Sequence, residues 1–225
     1  VTGTSVPEDW KTSNTILIPK SSKPTAADFR PIALLNVSYK LFMSIIKSKI
    51  EKYLKECGLQ TDLQAGFTEK RRTTDNIYIL KYCIEETYRR KQQLYLISID
   101  FQKAFDSVDR GNLIEVMKTY KIHPAIINVV ANIYTGDKTR MFLNNQHQTD
   151  LEVTCGVRQG CNGSTTLFLM VTFMIIKELQ LTSTGFRNNM FNISCLFYAD
   201  DGLIFARNYQ DAKAILQILI DTAGK

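Results

Sequence analysis

The chain has 225 residues and is 44% hydrophobic, which is enough to bury the core of one domain or of two subdomains. Its 28 Lys and Arg against 22 Asp and Glu give a net charge of +6, which raises affinity for phosphate backbones or merely aids solubility. Five cysteines without a Cys-x-x-Cys pair argue against a zinc site or disulfide framework and fit a reducing compartment. No signal peptide and no run of about 18 apolar residues is present, so we expect neither a secreted nor a membrane-spanning protein.

Helices and strands are both predicted along the chain, which indicates an α+β protein. Six helices are predicted from apolar residues at 3.6-residue spacing, around residues 46–57, 77–84, 113–120, 126–133, 167–174 and 212–219. His123-Pro124 separates the third from the fourth. Residues 139–143 and 151–155 predict a hairpin with its turn at Asn144-Asn145.

Two apolar runs of the chain lead into aspartates. The run at residues 94–99 ends in Asp100, and residues 193–205 predict a hairpin whose Asp-Asp-Gly tip begins at Asp200. Strand alternation predicts that Asp200 projects from the same face as Leu196. An Asp-Asp-Gly sequence on its own is also common in ordinary solvated turns.

The aspartates suggest a metal site. An ionised carboxylate beside an apolar sheet is costly unless a cation neutralises it, so we expect Asp100, Asp200 and Asp201 to converge on divalent metal. Hard oxygen ligands without clustered histidine or cysteine indicate Mg²⁺ or Mn²⁺. Two such ions, roughly 3.5 to 4 Å apart, form the clamp for in-line phosphoryl transfer.

Five segments in a fixed order carry a family resemblance. They are residues 29–40, 64–67 followed by 71–77, 100–106, 156–161 and 198–201. Together they resemble the reverse transcriptase of non-LTR (LINE-type) retrotransposons, over about residues 10–220. That family usually continues its Gln-Gly-Cys segment with Pro-Leu-Ser, whereas this chain continues with Asn162-Gly163-Ser164, which predicts a looser loop with activity retained.

The resemblance implies the right-hand polymerase fold, in which a palm of antiparallel strands is backed by helices. The fingers are expected at residues 1–92 and 109–158, and the palm at residues 93–108 and 159–225. The thumb is absent and is expected to follow Lys225. The 225 residues are therefore predicted to be a fragment with weak or no activity alone.

The resemblance also implies the metal and nucleotide ligands. Asp100, Asp200 and Asp201 are the expected catalytic and metal-binding residues, and the carbonyl of Phe101 is a further metal ligand. The residues expected to bind the dNTP are Lys20, Arg30, Lys103, Ala104, Phe105 and Gln159. Among them, Phe105 matches the sugar-selecting position, where a bulky ring collides with a ribose 2′-hydroxyl and favours dNTPs.

A further set of residues is expected to contact the template and primer. It consists of Gly66, Phe67, Arg71, Arg72, Gly160 and Tyr198. The ring of Phe67 is expected to stack on a base, and glycine at position 160 is expected to let the backbone approach the template.

Three functions remain open from the sequence. The first is the RNA-directed DNA polymerase of a mobile element, which uses dNTPs and two Mg²⁺ ions to extend a DNA or RNA primer on an RNA template. It would be part of a larger polyprotein with a thumb and an endonuclease. The second is a maturase of the group II intron type, and the third is a non-catalytic RNA-binding scaffold, which needs no clustered carboxylates. The expected location is intracellular, in the nucleus or cytoplasm.

Overall fold

A computed structural model describes most of the chain. The described residues are 6–19, 22, 29–143, 146–182, 185–188 and 191–223. Lys20 and the predicted turn at Asn144-Asn145 lie outside them. The chain divides into two compact units, each formed from two stretches of sequence. Unit 1 comprises Val1–Glu56 and Phe105–Phe168, and unit 2 comprises Cys57–Ala104 and Leu169–Lys225.

Helices and strands occur along the whole described chain. In order they are β1 (Thr12–Pro19), β2 (Phe29–Leu34), α1 (Val37–Glu56), α2 (Thr73–Arg89), β3 (Tyr95–Asp100), α3 (Arg110–Thr119), α4 (Pro124–Tyr134), β4 (Lys138–Leu143), β5 (Gln146–Glu152), α5 (Asn162–Leu181), β6 (Phe186–Arg187), β7 (Asn192–Ile193), β8 (Cys195–Tyr198), β9 (Asp201–Ala206) and α6 (Tyr209–Ala223). This content confirms the predicted α+β class, and each predicted helix corresponds to one of α1 to α6.

Unit 1 contains a four-stranded sheet in the order β2-β1-β4-β5, in which β1 and β4 run parallel. Strands β1 and β2 were not predicted, because polar residues such as Asn14 and the proline at position 19 obscure the apolar alternation of a strand. The last strand was predicted at residues 151–155, whereas β5 begins earlier and is mostly polar. Buried polar side chains also bond within this sheet, since the buried hydroxyls of Thr15 and Thr139 lie 2.7 Å apart.

The core of unit 1 forms around α1. The buried side chains of Tyr39 and Met43 pack with Ile133 of α4 and with Cys161. The predicted break before α4 is confirmed, since Pro124 is its first residue. A proline fits at this position because the first N–H groups of a helix have no intrahelical partner.

Unit 2 contains the antiparallel sheet β3-β9-β8. One face carries Phe197 and Ile204 and packs with buried residues of α5 and α6. The other face carries Leu196 and Phe205, which pack with Cys83 of α2. As a result α2, which the sequence analysis assigned to the fingers, belongs to the same compact unit as the acidic strands. The fingers and palm boundaries themselves stay a prediction.

The apolar residues that predicted α2 differ in burial. Ile77 and Ile84 are 60% and 46% exposed, whereas Cys83 and Thr87 are buried. The half-buried Leu80 packs with Cys83 in the core of unit 2. The spacing of Ile77, Leu80 and Ile84 therefore predicted the helix, and of these three Leu80 faces the core.

The apolar helix α5 runs through both units, with residues 162–168 in unit 1 and the rest in unit 2. It is the one helix of the described chain that is long and apolar enough to cross a membrane by length and composition. However, 61% of that stretch is buried inside the protein. Met170, Ile176 and Leu179 are fully buried, as in the core helix of a folded domain.

Candidate active site

The three predicted catalytic aspartates lie at one end of the unit 2 sheet. Asp100 is the last residue of β3 and pairs across the strands with Asp201, the first residue of β9. Directly opposed residues of an antiparallel pair project from the same face, so these two side chains are neighbours. Asp200 lies in the two-residue turn that joins β8 to β9.

The position of this turn corrects the sequence analysis. The hairpin was expected to turn at its Asp-Gly sequence, with Asp200 continuing the alternation of β8. Strand pairing instead ends at Tyr198, opposite Asp201, so the turn is Ala199-Asp200 and the alternation stops before it. Gly202 lies inside β9 beneath the ring of Phe197, which a Cβ atom would approach to 2.5 Å. The glycine therefore serves packing rather than the turn.

The three carboxylates have no basic partner among the residues that the structure describes. Among the described residues, no Lys, Arg or His forms an ion pair with Asp100, Asp200 or Asp201. Asp100 and Asp201 are exposed and Asp200 is half-buried. The described chain also has no group of three His, Cys, Asp or Glu side chains that could hold a metal ion. Strand pairing thus brings Asp100 and Asp201 together, and Asp200 lies in the turn next to Asp201. The shared metal role of the three acids stays a prediction.

The facing pair has the donor chemistry of a site for a hard divalent cation. Like charges directly opposite one another across two strands destabilise a sheet unless something compensates them. Carboxylate oxygens are the ligands that Mg²⁺ and Mn²⁺ prefer. The residue after Asp100 is Phe101, whose ring stacks on Phe197 with centroids 6.3 Å apart. This stacking anchors the chain where it leaves β3.

The predicted sugar-selecting residue is held by a second aromatic ring. The rings of Phe105 and Phe168 are stacked with centroids 4.7 Å apart and an interplanar angle of 17°. Phe168 lies on α5, and sequence analysis gave it no role. The two preceding residues, Lys103 and Ala104, belong to unit 2, where Lys103 is exposed with a φ of +51° and Ala104 is buried.

The loop that carries Gln159 and Gly160 is fastened within unit 1. The side-chain amide of Gln159 donates to the Asp106 carboxylate at 2.8 Å, and its carbonyl accepts from the N–H of Ala33 at 2.9 Å. Gly160 has a φ of +106°, and a Cβ atom there would lie 2.7 Å from the Ala33 carbonyl oxygen. Glycine is therefore needed for the close approach to β2, while its expected contact with the template stays a prediction.

A buried ion cluster precedes the same loop and was missed by sequence analysis. Asp137 is 1% exposed and accepts hydrogen bonds of 2.6 Å from both Arg110 and Arg158. Arg158 also donates to the carbonyl of Trp10 at 2.7 Å. Burial acts to lower the pKa of Arg158, but Tyr39 and Asp137 raise it more, so the net shift is upward. A lone Asp after a glycine is typical of a surface turn, so the sequence carried no signal for this cluster.

The remaining predicted nucleotide and template residues are scattered. Arg30 lies exposed on β2, and no described residue forms an ion pair with it. Arg71 pairs with Asp62, whereas Arg72 is exposed next to the start of α2. Tyr198 is 39% exposed opposite Asp201 and shares its face of the sheet.

Gly66 and Phe67 have different surroundings. Phe67 is 52% exposed with a φ of +54°, and its expected stacking on a base stays a prediction. Gly66 is buried, and a Cβ atom on it would lie 2.0 Å from the backbone nitrogen of Ala199. Gln64, to which sequence analysis gave no role, is buried beside it.

Comparison with known proteins gives a consistent family and fold. Residues 18–225 match the family described as reverse transcriptase (RNA-dependent DNA polymerase). Relatives include the Retrovirus-related Pol polyprotein from type-1 retrotransposable element R2 of Nasonia vitripennis, 28% identical over 213 residues, which are 93% of this chain and 20% of that protein. Another is the probable RNA-directed DNA polymerase from transposon BS of Drosophila melanogaster, 29% identical over 157 residues, which are 68% of this chain and 17% of that protein. The chain thus spans about a fifth of the length of these relatives.

Solved structures agree on the fold. Telomerase from Candida albicans, determined with a fragment of telomeric RNA, matches with a TM-score of 0.67 at 11% identity, over 95% of this chain and 40% of the telomerase chain. This likeness confirms the right-hand polymerase fold, and the sequence relatives confirm the resemblance to non-LTR retrotransposons.

Proposed function

This chain belongs to the reverse transcriptase (RNA-dependent DNA polymerase) family, and we propose that it copies an RNA template into DNA as one part of a larger retrotransposon protein. Its substrates would be an RNA template, a DNA or RNA primer and dNTPs. The thumb and an endonuclease would belong to the same larger protein. The R2 and BS relatives support this proposal, since both are named as polymerases or polyproteins of transposable elements.

The observation that carries the proposal is the facing pair of Asp100 and Asp201 at the end of β3 and β9. No described basic residue pairs with either acid, so both carboxylates are available to a cation. A non-catalytic scaffold would gain nothing from two unneutralised carboxylates held opposite each other, since they repel. The pair supports catalysis over the scaffold alternative.

Reverse transcriptases generally use divalent metal ions, and the proposed ions here are two Mg²⁺, with Mn²⁺ as a substitute. Asp100, Asp200 and Asp201 would hold them together with the carbonyl of Phe101. Ions bound in this way favour ionisation of an attacking hydroxyl and stabilise charge on the leaving oxygen. The protein would contribute the placement of these oxygens, since Asp100 and Asp201 lie on paired strands and Phe101 and Asp200 are their direct neighbours in the chain.

The residues expected to bind the dNTP would select the nucleotide and neutralise its charge. The stacked ring of Phe105 would exclude a 2′-hydroxyl, and the amide of Gln159, oriented by Asp106, would contact the incoming nucleotide. The exposed guanidinium of Arg30 and the exposed ammonium of Lys103 would neutralise the triphosphate. Lys20 is proposed for the same role from the family resemblance alone.

Primer extension by the full-length protein tests the proposal. With an RNA template, a primer and Mg²⁺, we expect synthesis from dNTPs and little from NTPs. Asp100→Asn is expected to lower the rate by about 10³-fold, the upper end of the cost of losing one electrostatic group at a reacting centre. Asp221→Asn on the exposed side of α6 is the matched control and should leave the rate unchanged.

Two outcomes would overturn parts of this proposal. An Asp100→Asn protein that copies RNA at the wild-type rate would refute the role of the facing pair. Wild-type protein that binds RNA but extends no primer with either Mg²⁺ or Mn²⁺ would favour the scaffold alternative.

A further inference from the structure

The turn that carries Asp200 has an unfavourable backbone conformation at its first residue. Ala199 has a φ of +58°, in the left-handed region that favours glycine and that costs other residues about 1 to 2 kcal/mol. Only Ala199 and Asp200 separate the paired residues Tyr198 and Asp201. A two-residue hairpin turn needs a positive φ at its first residue, a position that glycine usually occupies. Because alanine occupies it here, bonds from outside the hairpin offset the cost of this conformation.

The side-chain amide of Gln64 bonds to both backbone groups of Ala199. Its Oε1 accepts from the N–H of Ala199 at 2.9 Å, and its Nε2 donates to the carbonyl of Ala199 at 3.0 Å. The same Oε1 accepts from the N–H of Gly66 at 2.9 Å, and Nε2 lies 3.4 Å from the hydroxyl of Thr172. A glutamine amide has two donor hydrogens and two acceptor lone pairs, and this environment uses all four.

The surroundings fix the orientation of this amide. Gln64 is 0% exposed, so each of its polar atoms needs a partner inside the protein. Exchanging the oxygen and nitrogen would point the amide N–H groups at the N–H groups of Ala199 and Gly66, so only one orientation satisfies the network. The amide of Gln64 therefore holds the N–H and the carbonyl of Ala199 in one orientation.

The backbone around Gln64 is also tied to the hairpin. Phe197 donates its N–H to the carbonyl of Leu63 at 2.7 Å and accepts from the N–H of Ala65 at 2.9 Å. Asn76 of α2 donates its amide to the same Phe197 carbonyl at 3.0 Å. Gly66 then lies so close to Ala199 that a side chain there would collide with the turn. Residues 63–66 thus form a strap along β8 that ends at the acidic turn.

We infer that Gln64 is a positioning residue that sets the conformation of the Ala199-Asp200 turn and thereby places Asp200 for nucleotidyl transfer. The inference rests on the proposed function for its catalytic consequence. On this inference, residues 63–66 support the acidic turn Ala199-Asp200. The template contact is expected of the exposed neighbour Phe67.

The test replaces Gln64 with methionine in the full-length protein. Methionine has a similar length and volume but cannot bond to Ala199. We expect kcat of RNA-templated primer extension to fall by about 100-fold, since a displacement of about 1 Å costs on that order, while KM for dNTP changes by less than about threefold. Gln217→Met makes the same chemical change on the exposed side of α6 and is expected to leave both constants unchanged.

Amide hydrogen exchange supplies a second readout that does not need activity. In Gln64→Met we expect the N–H groups of Ala199 and Gly66 to exchange at least about tenfold faster. The N–H of Phe205, which donates to the Ser194 carbonyl at 2.9 Å in the same sheet, is expected to keep its rate. Local loosening of the turn, with the sheet intact, is the predicted pattern.

Each result decides the inference. Unchanged kcat and unchanged exchange at Ala199 would overturn the positioning role of Gln64. Equal loss of protection at Ala199 and Phe205 would also overturn it, because Gln64 would then stabilise the whole sheet and not the turn in particular. If Gln64→Met does not fold, Gln64→Asn carries the same test, because an amide shorter by one methylene cannot span both groups of Ala199. If the wild-type protein makes no DNA, the proposed function fails, while the exchange pattern still decides the role of Gln64.

Discussion

Replacing Asp137 with asparagine tests whether the buried ion cluster holds unit 1 together. The Asp137 carboxylate pairs with Arg110 and Arg158, whose side chains are 12% and 4% exposed. Asparagine keeps the shape of the side chain and removes its charge. The substitution therefore leaves two buried guanidinium groups facing a neutral amide.

The expected cost follows from the burial of both arginines. Removing one partner of a buried ion pair costs about 3 to 5 kcal/mol, because the remaining charge stays buried without compensation. We expect about 3 kcal/mol, since the asparagine oxygen still accepts one hydrogen bond and Arg158 keeps its bond to the Trp10 carbonyl. For a domain of about 150 to 250 residues, 1 kcal/mol shifts Tm by about 2 to 4 °C, so the predicted fall is about 6 to 12 °C.

Thermal unfolding followed by circular dichroism measures this fall. The matched control is Asp150→Asn, which changes a 2.8 Å contact with His147 in which the two side chains are 62% and 50% exposed. A pair this exposed contributes about 0 to 1 kcal/mol, so Tm should change by no more than about 4 °C. A fall for Asp137→Asn no larger than for Asp150→Asn would refute the assignment of a structural role to the cluster.

Two further predictions concern the proposed sugar-selecting ring of Phe105 and the thiols. Phe168→Leu removes the ring stacked on Phe105, and because an aromatic pair contributes about 0.5 to 1.5 kcal/mol, the ratio of kcat/KM for dNTP over NTP should fall by up to about tenfold. An unchanged ratio would show that Phe105 needs no support. In the folded protein, iodoacetamide should alkylate the exposed thiols of Cys57 and Cys155 but not Cys195, because burial raises the pKa of Cys195 to about 12 and its thiol stays protonated. Mass spectrometry that finds Cys195 labelled as fast as Cys57 would contradict this.

Local patterns predicted the elements that local forces determine. The helical spacing of Leu113 and Met117 predicted α3, and the apolar runs around Asp100 and Tyr198 predicted β3 and β8. Such patterns are informative because the residues buried on one face of a helix or strand recur at its own period. The same patterns could not choose the buried side of α2, where apolar residues such as Ile77 are exposed. That choice depends on the surface against which the helix packs.

The side chains that hold the candidate site in place bond to residues far away in the sequence. Gln64 bonds to a residue 135 positions away, and Asp137 to arginines 27 and 21 positions away. A glutamine in a loop and an aspartate after a glycine carry no periodic signal, so only the fold shows that both are buried and fully bonded. The facing of Asp100 and Asp201 likewise depends on strand register, which one residue more or less in the turn would change.

The glycines of the family motifs show why a motif residue need not touch a substrate. Gly66 lies against the backbone of Ala199, and Gly160 lies against the Ala33 carbonyl, each at a distance that no side chain could occupy. Replacing either with alanine would push the acidic turn or the Gln159 loop away from its place, and activity would fall although no ligand contact was removed. The family motifs therefore contain two kinds of residue. Some are proposed to perform the chemistry, and others are glycines whose lack of a side chain lets the backbone pack closely enough to hold the first kind in position.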